Sequence, residues 1–269
     1  MTADRGYDVF GIPYGRMLRQ DLHAVQSIDH LLMQQMVRLD ENSRERLYRE
    51  AGHLPARIKE HELYPFARRF EKSSQQESID SLLRMTRQMA EQFDTPFEQM
   101  QFGGTEQEIL LRGTDWCSDL SRLGAVLLMC LHIPARLLYL ANRNKAYHGH
   151  VAVEAFYNGG WGVVDFLYGL RFCFQDAPLS AWQLMTTPQM MTDFLSDRDR
   201  EYYMGLYDAA AISEYDPINR ENDYSISKPN QYYLTLMTHN LGDGWIMGEE
   251  DSAEYEINQA AQPSGQSRD

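Results

Sequence analysis

Three side chains, Cys117, His150 and Asp165, are of the types that a thiol nucleophile with an acid–base partner requires. A cysteine attacks a carbonyl as its thiolate, and a neighbouring imidazole takes up the thiol proton and later protonates the leaving group. A carboxylate that accepts a hydrogen bond from the imidazole orients its ring. The set predicts nucleophilic catalysis by a thiol, with Cys117 as nucleophile, His150 as general base and acid, and Asp165 as the orienting group.

The element that must position the thiol is a helix. Leucines recur at helical spacing from Leu120 to Leu131, and Thr114 or Asp115 is a candidate N-cap residue. Cys117 then lies in the first turn, where unpaired N–H groups and the helix dipole stabilise an anion. This placement favours the thiolate form of the side chain.

Strand-length segments follow this helix, and two of them carry the histidine and the aspartate. Pro134 prevents the helix from continuing, and Ala135 to Ala141 is an apolar run typical of a buried strand. His150 to Tyr157 and Trp161 to Phe166 lie on either side of Asn158-Gly159-Gly160. Asn-Gly between two such runs is the strongest short-range signal of a β-hairpin.

The register of this hairpin decides whether the histidine and the aspartate meet. A two-residue Asn158-Gly159 loop pairs Ala152 with Asp165 and makes His150 a diagonal neighbour on the same face. A three-residue loop pairs Val153 with Asp165 instead and moves the carboxylate to the opposite face. The proposed triad therefore requires the two-residue loop.

The residues from Arg112 to Tyr168 resemble the core of transglutaminase-like proteins. The resemblance rests on the stretches RGTDWCSDLSRLGAVLLMCLHIPARLLYLA and HGHVAVEAFYNGGWGVVD. That family has a cysteine at the start of a central helix, Pro-Ala-Arg at the next strand, and histidine and aspartate on adjacent strands. The matching positions are Cys117, Asp119, Pro134-Ala135-Arg136, His150, Glu154, Trp161 and Asp165.

The resemblance implies a papain-like arrangement in which Cys117 attacks an amide, ester or thioester carbonyl and forms a thioester acyl-enzyme. An amine or water then resolves this intermediate. The chain departs from the family pattern at Ala152, where an aromatic is common two residues after the histidine, and at Phe166, where proline commonly follows the aspartate. The backbone N–H of Cys117 is the candidate oxyanion donor, and Trp116 beside it is a candidate for the oxyanion site or the cleft.

Several neighbouring residues have competing interpretations. His148 is a rival to His150 as the base, and Glu154 is either a second carboxylate at the site or an exposed strand residue. We expect Asp119 to support the helix start and Arg136 to pair structurally. Cys130 and Cys173 are interpreted as small buried hydrophobes. Four methionines at helical spacing are assigned to the core rather than to a substrate wall: Met185, Met190, Met191 and Met204.

The segments on either side of this core are predicted to be mostly helical. Leu18 to Met36 and Ser78 to Phe93 have apolar residues at helical spacing, as do Ser180 to Met185 and Gln189 to about Ala211. Phe166 to Phe174 is expected to continue the sheet. The fold class is therefore α+β, with a papain-like core of a central helix packed on an antiparallel sheet and helical N- and C-terminal flanks.

The predicted organisation has four parts. Residues 1–104 form a helical N-terminal region or lid, and residues 105–175 form the transglutaminase-like catalytic core. Residues 176–248 extend the same domain with helix and strand. Residues 249–269 are polar and rich in Gly, Pro, Ser and Gln, which predicts a disordered tail.

Net charge, cysteine count and the lack of known motifs limit which cofactors, partners and cellular location we expect. The 269 residues have a formal net charge of −14, which argues against nucleic acid as a partner because that binding needs a basic patch. The sequence has no Cys-x-x-Cys, His-Glu-x-x-His or glycine-rich phosphate motif, so we expect no metal and no cofactor. It also has no signal-peptide pattern and no apolar run of membrane-spanning length. With three cysteines, too few for a disulfide framework, we expect a cytoplasmic protein without a membrane partner.

The first functional hypothesis is a cofactor-free thiol acyltransferase. Its donor is an amide or a carrier-protein thioester and its acceptor is an amine, a reaction that the resemblance connects with natural-product biosynthesis. Three alternatives stay open: a cysteine peptidase or amidase with water as acceptor, a ring-forming transfer to a carbon nucleophile, and a non-catalytic binding module. The intact cysteine, histidine and aspartate argue against the last of these.

Overall fold

The computed structural model describes residues 36–49, 51–95, 101–142 and 149–219. Its strands are β1 Met36–Arg38, β2 Ala135–Ala141, β3 Gly149–Tyr157, β4 Gly160–Asp165, β5 Leu170–Arg171, β6 Cys173–Phe174, β7 Ala177–Pro178 and β8 Ala209–Glu214. A six-stranded sheet has the order β1-β8-β2-β3-β4-β5, and every neighbouring pair in it is antiparallel. Strands β6 and β7 pair separately with each other.

Helices pack on both faces of this sheet. The α-helices are α1 Arg44–Arg49, α2 Tyr64–Ala67, α3 Gln75–Gln92, α4 Glu106–Arg112, α5 Cys117–Cys130, α6 Ala181–Thr186 and α7 Asp197–Gly205. Short 3₁₀ segments are Ile58–Glu60, Arg68–Phe70, Pro188–Phe194 and Leu206–Asp208. Alternate residues of β2 face two different cores. Leu137 packs in the first core, with α3 and α5, and Leu138 packs in the second core, with α6 and the segment after it. The described chain is thus a mixed α/β structure built on an antiparallel sheet.

The hairpin between β3 and β4 has the two-residue loop. Asn158 and Gly159 both have positive φ, +49° and +81°, as a type I′ turn requires. The ladder pairs Val153 with Val164 and Tyr157 with Gly160. This register continues to put Asp165 opposite Ala152, which confirms the prediction from the Asn-Gly signal.

Helix α5 is the central helix of the first core, and it begins at Cys117 and ends before Pro134 as predicted. Every residue from Ser118 to Cys130 is buried. The helix contacts β3 and β2, and the Ser121 hydroxyl donates a 2.8 Å hydrogen bond to the carbonyl of Val151. A helix that is buried on all sides is fixed by its neighbours, so its first residue has a defined position relative to β3.

A close contact between α5 and the end of β4 depends on Gly124. A Cβ atom at this position would lie 2.2 Å from Cδ2 of Phe166, whose side chain is fully buried. Phe166 directly follows Asp165, so this contact also sets the distance between the helix and the aspartate.

We expect Gly124→Ala to destabilise the protein by about 1–3 kcal/mol through overpacking, which exceeds the gain of about 1 kcal/mol from better helix propensity. Urea unfolding followed by circular dichroism measures the effect. The same substitution in a Phe166→Leu background should cost less, because the smaller side chain leaves space for the new methyl group. Equal costs in the two backgrounds would contradict the steric explanation.

The structure corrects three predictions about secondary structure. Met36, assigned to a helix, begins strand β1, and Ala209 to Ala211, assigned to the end of a helix, begin strand β8. Both segments pair with each other in the sheet, and β8 also pairs with β2. Sheet pairing at these positions overrides helical periodicity and the high helix propensity of alanine. The expected cap at Thr114 or Asp115 is also wrong, because the N-cap residue of α5 is Trp116.

Other predicted elements lie close to their observed bounds. Helix α3 begins three residues before Ser78, with Ser74 as a capping residue, and α6 has the capping box of Ser180. The expected extension of the sheet is confirmed for β5, whereas β6 leaves the sheet to pair with β7.

None of the helices in the described ranges is both long and apolar enough to cross a membrane. The predicted helix before Met36 and the predicted tail lie outside the described residues.

Candidate functional site

The hairpin brings His150 and Asp165 into direct contact. Nε2 of His150 and Oδ2 of Asp165 are 2.6 Å apart. The histidine is 3% exposed and the aspartate is fully buried. A hydrogen bond this short between buried ionisable groups is typical of a charge-assisted pair.

Both oxygens of Asp165 are saturated with donors. Oδ1 accepts hydrogen bonds from the backbone N–H groups of Leu167 and Tyr168, each at 3.0 Å. Oδ2 accepts from His150 and from the hydroxyl of Tyr203 at 2.5 Å. Burial alone would raise the pKa of Asp165, but the positive charge of His150 and these donors lower it below its ordinary value. The carboxylate is therefore held ionised and in one orientation.

Cys117 lies at the first position of α5. It is partly exposed, and the rest of this helix is buried. Trp116, the N-cap residue, forms no side-chain cap to the helix, and the Thr114 hydroxyl accepts a hydrogen bond from the N–H of Trp116 instead. The side chain of the N-cap residue, which in most helices accepts a hydrogen bond from a first-turn N–H group, accepts none here. The N-terminus of α5 is therefore suited to binding an anion.

Cys117 and His150 interact electrostatically. Burial would lower the pKa of His150, but the negative charge of Asp165, the hydrogen bond to it and the interaction with the Cys117 thiol raise it well above its ordinary value. Because Nε2 is engaged by Asp165, the ring nitrogen left for the thiol is Nδ1. The pair with Asp165 therefore favours the protonated form of the imidazole.

Tyr203 is a site residue that the sequence analysis missed. It lies on α7, 38 positions after Asp165, and its side chain is fully buried. The sequence places it in a polar helical segment with no motif around it, so no local signal identifies it. Only the packing of α7 against the sheet brings its hydroxyl to the aspartate.

Aromatic rings enclose the histidine–aspartate pair. The ring of Tyr168 packs edge-on against His150 with centroids 5.6 Å apart, and Tyr203 lies 6.0 Å from the same ring. Ala152, where the family has an aromatic residue, is fully buried in the second core and forms no cleft wall. The aromatic contacts with His150 thus come from Tyr168, in the turn after β4, and from Tyr203 on α7.

Trp116 is packed inside the protein. Its side chain is 1% exposed and its ring lies 4.6 Å from that of Phe102. The indole therefore fixes the start of α5 from the core side. A role of Trp116 in an oxyanion site or cleft stays a prediction.

Glu154 and Arg136 form a buried structural pair away from the thiol. The guanidinium donates to Oε2 of Glu154 through Nε and Nη2, at 3.0 and 2.7 Å, and stacks on Trp161 at 3.9 Å. Oε1 of Glu154 accepts from the Tyr48 hydroxyl and from the N–H of Ala181. The carboxylate is neither exposed nor available as a second group at the site, and the structural pairing expected for Arg136 is present.

Asp119 supports the start of α5, as expected. Its carboxylate accepts hydrogen bonds from the N–H of Gly103 at 3.0 Å and from the Arg112 guanidinium at 2.6 Å. One turn later, the buried Arg122 donates to Glu106 at 2.8 Å. These contacts tie the preceding segment and α4 to the helix that carries Cys117.

The remaining candidates lie in the cores or outside the described residues. Cys130 is fully buried, and Cys173, expected to be buried, is partly exposed. Met191 is buried in the second core, where Met185, Met190 and Met204 are partly buried. His148 lies outside the described residues. Among the residues that are described, no cluster of three His, Cys, Asp or Glu side chains is placed to hold a metal ion.

Comparisons with known proteins give no relative for this chain. No family model, no curated protein and no solved structure matches it. The resemblance to transglutaminase-like proteins therefore rests on the motif residues alone.

Proposed function

We propose that this protein is a thiol acyltransferase with a papain-like, transglutaminase-like core. Cys117 is the nucleophile, His150 is the acid–base group and Asp165 orients its ring. The observation that carries the proposal is the buried 2.6 Å contact between His150 and Asp165, with the partly exposed Cys117 thiol interacting with the same imidazole. Acyl transfer through a thioester requires these three groups in this sequence: a thiol, an imidazole beside it and a carboxylate that orients the imidazole.

The first half of the reaction forms the acyl-enzyme. In the proposed mechanism the proton of the thiol passes to His150, and Cys117 attacks the donor carbonyl as thiolate. A C–S bond forms and the carbonyl oxygen becomes an oxyanion, for which the N–H of Cys117 at the start of α5 is the candidate donor. When the tetrahedral intermediate collapses, the bond to the leaving group breaks and His150 gives that group its proton.

The second half of the reaction transfers the acyl group. The neutral imidazole accepts a proton from the incoming amine as its nitrogen attacks the thioester carbonyl. An amide is released, and Cys117 returns as thiolate beside the protonated His150. Water in place of the amine gives a carboxylic acid, which is the hydrolase alternative.

Transfer to an amine is preferred to hydrolysis on two grounds. The chain has a net charge of −14, and a negative field attracts ammonium-bearing acceptors. We also propose that the protein is cytoplasmic. An open peptidase site there would cleave the surrounding proteins, whereas a transfer reaction restricted to one acceptor would not.

An activated thioester such as phenyl thioacetate tests the proposal without knowledge of the natural donor. We expect an acetyl adduct on the peptide that contains Cys117, detected by mass spectrometry, and none in Cys117→Ala. Added primary amine should divert the acetyl group to the amide in proportion to its concentration.

The matched control is Cys173→Ala, which removes the other partly exposed thiol and should leave both adduct and amide unchanged. Release of acetate alone, at every amine concentration, would replace the transferase with the hydrolase. Equal acetylation of Cys117 and Cys173 in the wild-type protein would refute catalysis by this thiol.

A further inference from the structure

Tyr203 makes the shortest hydrogen bond of the carboxylate at the site. Its hydroxyl donates to Oδ2 of Asp165 at 2.5 Å, and this oxygen also faces Nε2 of His150 at 2.6 Å. The other oxygen, Oδ1, is held by two backbone N–H groups. Removing the phenol would therefore leave Oδ2 with a single donor, and that donor would be the imidazole.

The position of the Tyr203 hydroxyl is fixed by the packing of its ring. The ring stacks on Phe172 with centroids 5.8 Å apart and meets Tyr168 edge-on at 5.1 Å. Helix α7 leads through Leu206–Asp208 into β8, which pairs with β2 in the middle of the sheet. Two aromatic contacts thus hold the ring of Tyr203, and the connection to the central strand β8 holds the end of α7. The hydroxyl cannot move away from Asp165 unless the second core repacks.

We propose that Tyr203 is a positioning residue of the site: it holds the Asp165 carboxylate in its ionised form and aims Oδ2 at His150. The C-terminal extension, through α7, then belongs to the catalytic unit rather than serving only as a cover. The catalytic meaning of this role rests on the proposed function, whereas the hydrogen-bond relay from Tyr203 through Asp165 to His150 does not.

The relay makes a specific prediction about pH. Tyr203→Phe keeps the ring and its packing but removes one of the four donors that offset the burial of Asp165. The carboxylate then takes up a proton at higher pH, because hydrogen bonds to an ionised group favour that form. The groups that interact electrostatically with Asp165 are His150, Tyr168, Tyr202, Tyr203 and Tyr207. Cys117 interacts in turn with His150, Tyr168 and Tyr202.

The first measurement is the rate of Cys117 alkylation by iodoacetamide between pH 4 and 7. We expect the acid limb of this profile in Tyr203→Phe to move to higher pH by about one to two pH units, as the loss of a charge-assisted hydrogen bond implies. Tyr157→Phe is the matched control, since Tyr157 is equally buried but lies at the far end of β3. Its profile should coincide with that of the wild type.

The second measurement is the imidazole N–H signal of His150 in protein labelled with ¹⁵N-histidine, assigned by its loss in His150→Ala. The signal should shift in Tyr203→Phe and stay in place in Tyr157→Phe. If a folded Tyr203→Phe protein keeps both the wild-type profile and the wild-type signal, Tyr203 only packs and the inference is overturned. If wild-type Cys117 has no enhanced reactivity, the proposed function fails, and the signal of His150 alone then decides whether the relay exists.

Discussion

Limiting iodoacetamide at pH 6 is expected to alkylate Cys117 about a hundredfold or more faster than Cys130, because only a thiolate is alkylated and the buried Cys130 thiol stays protonated at this pH. In the proposed site His150 is the acid–base partner of the Cys117 thiol at the start of α5, and such a partner favours the reactive thiolate form. Cys130, at the other end of the same helix, is fully buried, and burial together with the charge of Glu106 raises its pKa to about 12. Mass spectrometry of the three cysteine peptides measures all rates in one sample.

Exposure alone also favours Cys117 over Cys130, so a second comparison is needed. Cys173 is partly exposed, like Cys117, and none of the hydrogen bonds found among the described residues joins it to a histidine. We expect Cys117 to react faster than Cys173 from pH 5 upward, with the advantage decreasing towards pH 9 as free thiols ionise.

His150→Ala should remove this advantage and bring Cys117 to the rate of Cys173. A variant that retains the advantage would show that the helix terminus, and not the imidazole, activates the thiol. Equal rates of Cys117 and Cys173 in the wild type would instead contradict the thiolate–imidazolium pair itself.

The parts of the site that local sequence signals specify were predicted correctly. Helix α5 ends at Cys130, before Pro134, which could not continue a helix. Asn158-Gly159 sets the turn because both positions need positive φ. The turn fixes the register, and the register fixes which face carries Asp165. Each step depends on residues within one hairpin or one helix end.

The parts that depend on distant packing could not be predicted in this way. Ala209 to Ala211 have high helix propensity, and they form a strand because β1 and β2 pair with them on both sides. Glu154 shares a strand face with His150, which suggests a place at the site. Its role is instead structural, because it pairs with Arg136, whose guanidinium stacks on the ring of Trp161. Tyr203 reaches Asp165 only after α7 has packed on the sheet.

Asp165→Asn is expected to lower the free energy of unfolding by about 3–5 kcal/mol near pH 5.5, as the loss of one partner of a buried ion pair does. The amide presents two N–H donors where Oδ2 now accepts from His150 and Tyr203. The fully buried site leaves these groups no water to replace the carboxylate. Acyl-enzyme formation should fall with it, because the imidazolium loses its counter-ion.

The matched control is Asp80→Asn, which makes the same chemical change in a carboxylate paired with Arg171 at 2.8 Å. The Asp80 side chain is 38% exposed, so water can replace part of the lost interaction with Arg171, and we expect Asp80→Asn to cost only about 1 kcal/mol. Urea unfolding of the two variants and the wild type at pH 5.5 compares the costs directly. Equal costs at the two positions would contradict a buried charged pair at Asp165.

The pH dependence of this cost separates the ion pair from simple packing. The pKa of Asp165 is lowered on folding, so its contribution is present above about pH 4 and is lost as the pH falls through the lower folded value. The pKa of His150 is raised, so its contribution is complete below about pH 6.5 and is lost as the pH rises through the higher folded value. The difference between wild type and Asp165→Asn should therefore be largest between about pH 4 and 6.5 and should decrease steadily towards alkaline pH. The cost of a packing defect does not depend on the titration of either group. If the cost of Asp165→Asn is the same at every pH, Asp165 and His150 are in contact in the fold but do not carry opposite charges.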